Sequence, residues 1–476
     1  MSKHKFSKRL LVLSAAVTVL LSQSAYAAET VEMNLQQAME RAFNTNPSIS
    51  IAGYELDSAR ADYNAARQSR GITITGQHQT SRGGHDDAIY QNKDGLGNDI
   101  PGFNKGIGNN HSNTISASIP IYTGGKLSGT IQQAKAGFKY AEVGVQKAYN
   151  DMRSTVTNGY FNVLQADNLQ KLGQESVTRL EDHLKNVKAQ YDVGVVAKVD
   201  VLRSEVELAN AKQSLIQAEN SYQIAEASLN RIVGLPMDTQ LKLDNILTYT
   251  AYDNDMAYCL DYAAAHRPEL EQARQNVEAA KGALKVARSG YQPQISASAT
   301  KGWSSDNWPG DENGDWGVGV GVSMNIFDTG VTFSRIHGAE ADLAKAEETY
   351  RDTVDAVMLD VRSNYLGMRE AEKRIQTTQT AVAQAEEDFR ISQVRYMAGV
   401  GTNTDVLDAQ VALTDAQNNY LQAMYDYNTS KTNLMTSLGE PMEFPRTVTV
   451  EAPEAETAAA GEAETSGTAE EQASGK

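Results

Sequence analysis

The sequence predicts a mostly helical α+β chain, internally duplicated, in which two long coiled-coil hairpins each follow a pair of β-strands. Three observations carry that expectation. YDVGVVAKVDVL at 191–202 returns as YMAGVGTNTDVL at 396–407, and the landmarks Tyr191 and Tyr396, Gly194 and Gly399, Asp200 and Asp405 all stand 205 residues apart (396 − 191). The same offset links Gly125 to Gly330, Tyr160 to Tyr365 and Pro236 to Pro441, so no residue has been gained or lost over that span. All ten prolines lie outside 121–235 and 310–440, and a proline inside a helix costs about 3 kcal/mol. Ahead of each proline-free window the apolar residues alternate with a period of two, which is the spacing of a strand.

In chain order, residues 1–27 read as a secretory signal peptide. Lys3, Lys5, Lys8 and Arg9 precede an apolar run from Leu10 to Leu21, and Ala25-Tyr26-Ala27 suits cleavage. No cysteine follows the cleavage site, so a lipid anchor is not expected, and Cys259 stands alone, so no internal disulfide is expected. The first structural repeat is placed at 28–235 and the second at 236–440. Strands are expected at about 71–80, 113–122, 293–303 and 316–327. Ile115, Ala117, Ile119 and Ile121 alternate with Ser116, Ser118 and Pro120, and Val318, Val320 and Val322 alternate with Gly319 and Gly321. The Gly/Asn/Asp-rich stretch 82–112 reads as a loop holding extra residues of the first copy.

Helical hairpins are expected at about 125–233 and 330–438. Ile131, Ala134, Phe138, Ala141, Val145, Ala148 and Met152 alternate steps of three and four, and Val177, Leu180, Leu184, Val187 and Tyr191 resume the rhythm. A helix from about 126 to 190 would reach on the order of 100 Å at 1.5 Å per residue. Gly194 and Gly399 suit helix carboxyl caps, so the repeated phrase is the tip of each hairpin. Thr402 and Asp405 fit a capping box for the returning helix. The tail at 451–476 is Ala/Glu-rich, lacks aromatics and reads as disordered.

Net charge is −17, and loss of the leader's cations makes the chain more acidic still, so nucleic acid is not an expected partner. After the leader no apolar run approaches the 18 residues of a membrane helix. A membrane crossing would therefore use strands. Four strands in lipid leave two unpaired edges, and the smallest barrels need about eight, so the chain is expected to oligomerise.

The order helix, strand, strand, long helix, tip, helix, repeated once, resembles the TolC-like outer-membrane efflux proteins. MNLQQAMERAFNTNPSI at 33–49, IPIYTGGKL at 119–127, MNIFDTGV at 324–331 and the two tips carry the resemblance, which covers nearly all of 33–440. It implies a homotrimer that supplies twelve strands to one transmembrane β-barrel in outer-membrane lipid, with the helices forming a periplasmic α-barrel. Segments such as 235–266 and 441–450 would form an equatorial belt. It further implies a passive exit duct for efflux or type I secretion, working with a periplasmic adaptor (membrane fusion) protein and an inner-membrane pump, and needing no cofactor.

By matching position, Gly194, Val195, Gly399 and Val400 would meet the adaptor, or the glycines would simply cap helices. Asp405 and Asp408 would line the periplasmic constriction, with mutual repulsion raising some of their pKa values. The alternative has Asp405 as a first-turn acid and Asp408 as a surface residue. Asp200, Arg203 and Tyr396 complete the expected gate. Family members can carry a basic residue that latches onto the acid matching Asp200. Gly401 stands there in this chain, so Arg203 is expected either to pair with Asp405 or Asp408 or to make local contacts.

GGKLSG at 124–129 lacks the upstream glycine of a phosphate loop, and GVGVGV at 317–322 is explained by strand alternation. DNWPGDENGDW at 306–316 fits no calcium-loop spacing, His183 and His266 read as isolated helix residues, and no catalytic constellation is apparent, so an enzyme is not expected. The alternative function is an exported coiled-coil envelope spacer with a β anchor. That accounts for the seam but not for tips and strands duplicated in one register.

Overall fold

The computed structural model describes residues 30–83 and 108–439. The expected signal peptide, most of the loop at 82–112, the segment 441–450 and the tail 451–476 lie outside the described residues. β1 (Thr30–Met33) leads into α1 (Leu35–Thr45) and α2 (Pro47–Gln68). β2 (Thr73–Gly83) and β3 (Gly108–Tyr122) precede α3 (Lys126–Asp192) and α4 (Lys198–Val233). β4 (Gln240–Leu243), α5 (Met256–His266) and α6 (Pro268–Arg288) follow, then β5 (Gln294–Ser305) and β6 (Asn313–Ser323), and finally α7 (Val331–Met397) and α8 (Asn403–Leu438).

The long helices α3 and α7 have 67 residues each, and the return helices α4 and α8 have 36 each. A helix of that greater length spans roughly 100 Å. Proline is absent from all four helices, and glycine stands at both ends of the long ones. Gly125 and Gly330 start them at φ 97° and 87°, and Gly194 and Gly399 follow their ends at φ 79° and 72°. Val177, Leu180, Leu184 and Val187 of the expected seam are buried, whereas Tyr191 is exposed. The core is divided along the helices. One cluster centres on Met368, Tyr427 and Leu434, and a second near the tips gathers Leu184, Val187, Val201, Phe389, Tyr396 and Val406.

Two features brace this assembly. β1 pairs in parallel with β4, and the buried Tyr160 hydroxyl of α3 donates to the carbonyls of Met33 (3.2 Å) and Asp244 (3.0 Å), tying the strand pair to the long helix. Farther along, α3 and α6 touch backbone to backbone. A Cβ built on Gly129 would stand 2.7 Å from the Gly282 carbonyl oxygen, and one on Gly282 would stand 2.9 Å from that of Gly129.

The remaining strands form one antiparallel sheet in the order β2-β3-β5-β6. Strand pairing extends beyond the expected limits, since Arg82 pairs with Asn109 and Gly83 with Gly108. The ends of the stretch 82–112 are therefore strand, because the backbone ladder continues through residues whose composition suggested a loop.

Candidate functional site

Two surfaces are built by this arrangement: the faces of the sheet and the paired tips of the hairpins. On one face of the sheet, Ile74, Ala117, Ala299 and Val318 lie in one cross-strand row. Ile119, Ala297 and Val320 lie in the next row of that face. On the opposite face the rows read Thr75, Ser116, Thr300, Gly317 and Thr73, Ser118, Ser298, Gly319. Because side chains alternate strictly across a pleated strand, period-two spacing becomes one apolar and one small, polar face. Ile74, Val318, Val320 and Val322 are all exposed in the single chain. β2 and β6 each have one unpaired edge.

At the tips, the same cap closes both long helices. Gly194 N donates to Tyr191 O (2.9 Å) and Val195 N to Gln190 O (2.9 Å), and Gly399 N donates to Tyr396 O (3.0 Å) and Val400 N to Arg395 O (2.9 Å). These bonds form a Schellman motif, which requires the left-handed conformation both glycines adopt. Nothing lies within 4 Å of a Cβ built on either glycine, and Val195 and Val400 are exposed. Gly401 is different: a Cβ there would stand 3.0 Å from Tyr396 N and 3.1 Å from Arg395 Cβ, so the turn itself favours a residue without a side chain.

The return helix α8 starts with a capping box. Thr402 N donates to Asp405 Oδ2 (2.9 Å), and Asp405 N donates to Thr402 Oγ1 (3.2 Å). Within one chain these hydrogen bonds hold the Asp405 carboxyl below its ordinary pKa. Within one chain the carboxylate is fixed by its own helix terminus. Asp405 and Asp408 both lie on the exposed side of α8, opposite the buried Val406 and Leu407.

Within one chain Arg203 Nη1 donates to Thr404 Oγ1 at 2.9 Å, across to the first turn of α8. Tyr396 is buried, and its hydroxyl has no hydrogen-bond partner among the described residues, so it does not reach Asp200. Burial first, and the Asp200 charge second, raise its pKa.

His183 is not an isolated helix residue. Its Nε2 meets Asn403 Oδ1 at 2.7 Å, and Ser204 Oγ donates to the same oxygen at 3.2 Å. Asn403 Nδ2 donates to the Asp200 carbonyl at 3.1 Å, and the Tyr396 ring lies 5.4 Å from the imidazole. Since Asn403 Oδ1 can only accept, the imidazole carries its proton on Nε2. His183, Ser204 and Asn403 are all buried, so the two hairpins of one chain are joined near their tips by a neutral polar network. A signal for it was available: His183 follows Leu180 by three residues, on the helix face of the apolar seam.

Burial lowers the His183 pKa below 6.5, and the bond to Asn403 opposes that shift only in part. The unfolded imidazole binds a proton more readily than the folded one, so stability rises with pH. The tip joint is expected to lose stability as pH falls below 6.5 towards the lowered folded value. Amide protection factors of α3 and α8 near the tips, which correct for the slower intrinsic exchange in acid, should fall on acidification in the natural chain and change less in His183→Gln. An equal fall in both proteins would show that another group controls the joint.

Sequence comparison decides the family. The profile described as "Outer membrane efflux protein" matches residues 38–235 and 259–440, most of the chain. The chain belongs to the outer membrane efflux protein family. It is similar to outer membrane protein TolC of Escherichia coli, at 24% identity over 444 residues covering 89% of this chain and 85% of that protein. It is also similar to the toluene efflux pump outer membrane protein TtgC of Pseudomonas putida, at 23% identity covering 85% and 82% of the two chains. Its fold matches the outer membrane protein VceC of Vibrio cholerae, with a TM-score of 0.73 at 20% identity over 85% of this chain and 96% of that one.

As a member of the outer membrane efflux protein family, the chain is a TolC-like outer-membrane protein with a large periplasmic portion. The family is one of efflux ducts and not of enzymes. Among the described residues no helix is long and apolar enough to cross a membrane. The same residues contain no group of three or more His, Cys, Asp or Glu placed to hold a metal ion.

Proposed function

We propose that three copies of this chain, each an internal duplication, close into one twelve-stranded barrel continued by a periplasmic tube of helices. Substrates then pass outward through it by passive conduction in a tripartite efflux or type I secretion system. The sheet carries this reading. It has an apolar face, a polar face and two unpaired edges, and four strands are too few for a barrel. In hydrocarbon each unpaired edge group costs several kcal/mol, so pairing β6 of one copy with β2 of the next removes a cost that no single chain can avoid. The apolar face then meets lipid and the small polar face lines the lumen.

At the far end, the tips gate the duct. Asp405 and Asp408 of three chains form rings that favour cations. The capping bonds that lower the Asp405 pKa keep its carboxylate charged at neutral pH. Gly194, Val195, Gly399 and Val400 present the exposed ends of the hairpins to a periplasmic adaptor, and an inner-membrane pump supplies the substrate. Arg203 and Asp200 stand beside this ring on the first hairpin, and Tyr396 supports it from the buried side.

Extraction in mild detergent should yield a trimer by mass, and its reconstitution in planar bilayers should give cation-preferring channels. Asp405→Asn combined with Asp408→Asn should keep the trimer and lose most of that preference. A monomer that is soluble without detergent would reject the duct. A trimeric channel whose selectivity is unchanged in the double variant would reject the gate assignment alone.

A further inference from the structure

The joint between the two hairpins of one chain acts as a template for a second joint that one chain cannot form. The helix bounds α3 and α7, and α4 and α8, keep the constant offset of the sequence repeat, so the residues that α3 and α8 bring to the internal joint have counterparts on α7 and α4, while Ser204 corresponds to Ala409, which is buried inside the chain. His183 of α3 corresponds to Asp388 of α7, Asn403 of α8 to Lys198 of α4, and Tyr396 to Tyr191. The internal set is buried and neutral. These counterparts are all exposed, and two of them carry opposite charges.

The apolar neighbours follow the same rule. Tyr396 is 6% exposed and Tyr191 41%; Phe161 is 6% exposed and its counterpart Leu366 53%; Leu407 is 7% exposed and its counterpart Leu202 50%. The flank of α7 and the flank of α4 are thus uncovered at positions whose counterparts are covered inside the chain. Reach is also matched. A long imidazole facing a short amide becomes a short carboxylate facing a long ammonium.

We propose that the occupant of these flanks is a second copy of this chain, joined α7 to α4. At the tips Asp388 forms an ion pair with Lys198 of the partner subunit, beside the ring of the partner subunit's Tyr191. This rests on the head-to-tail ring proposed above. Its consequence is that the tips alternate between two kinds of joint. The joint within a chain is dry, neutral and sensitive to His183 protonation, whereas the joint between chains is ionic and weakens as salt screens it. Opening under high ionic strength therefore begins between chains and not within them.

The test is cross-linking of the detergent-extracted protein with a short bismaleimide after Lys198→Cys and Asp388→Cys substitution. The buried Cys259 stays unreactive, which the single variants check. The expected result is a ladder of covalent dimer and trimer on denaturing gels, absent from either single variant. The pair His183→Cys with Asn403→Cys should instead link within a chain and give no ladder. Charge reversal supplies a second readout: Lys198→Glu or Asp388→Lys alone should raise single-channel conductance several-fold, and the two together should restore it. A trimer by mass that gives neither ladder nor rescue would overturn the ion pair and leave the ring standing. A protein that never assembles would overturn the ring itself.

Discussion

Val320→Arg is expected to prevent assembly in the outer membrane. Val320 lies on the apolar face of the sheet, beside Ala297 and Ile119, and is exposed in the single chain. An arginine facing lipid near the middle of a membrane costs about 2–4 kcal/mol. Every copy in a closed barrel would bear that cost, so the penalty grows with the number of chains. Ser298→Arg is the informative comparison, because Ser298 shares a row with Thr73, Ser118 and Gly319 on the polar face. That arginine would meet the lumen, and assembly should survive with altered conductance. Refolding into liposomes, scored by the fraction of protein resistant to protease, separates the two. Equal loss in both variants would mean that neither face contacts lipid.

The second large effect is expected at the crossing of α3 and α6. Gly282→Leu places a side chain where a Cβ alone would stand 2.8 Å from Gln133 Cγ, 2.9 Å from the Gly129 carbonyl oxygen and 3.0 Å from Gln133 N. Two of these atoms are backbone, so relief requires the helices to separate. Overpacking of this kind typically costs about 1–3 kcal/mol, and this site belongs at the upper end. Gly137 lies on the same long helix with nothing within 4 Å of a Cβ. Gly137→Ala should therefore stabilise by up to about 1 kcal/mol through helix propensity. Urea denaturation of the two variants should move in opposite directions. A Gly282→Leu protein as stable as the natural one would show that the close approach is not maintained in solution.

The sequence made the tips and the long helices readable because each rests on local chemistry. A glycine after an apolar seam specifies a left-handed cap, and threonine three residues before aspartate specifies a capping box. Absence of proline sets the length of a helix before any packing is considered. What escaped notice depends on partners distant in the chain. The seam position of His183 marks it as buried, but nothing local identifies Asn403, more than two hundred residues later, as the acceptor of its hydrogen bond. β1 and β4 are four residues each, too short for a period-two pattern to stand out. The ends of β2 and β3 carry Arg, Gly and Asn, whose composition suits turns, yet the ladder between them continues.

The identical lengths of the two hairpins restrict how such a chain can change over evolutionary time. A single residue inserted into α3 alone would advance everything beyond it by about 1.5 Å and rotate it by about 100°. The buried side of that hairpin would then face away from α8, and its tip would stand out of level with the other. Seven residues, near two full turns, would restore the facing but still leave the first tip about 10 Å beyond the second. A lineage can therefore lengthen or shorten this protein only by matched changes in both halves. The distance it spans behaves as a ruler with coarse graduations, inherited by both hairpins together.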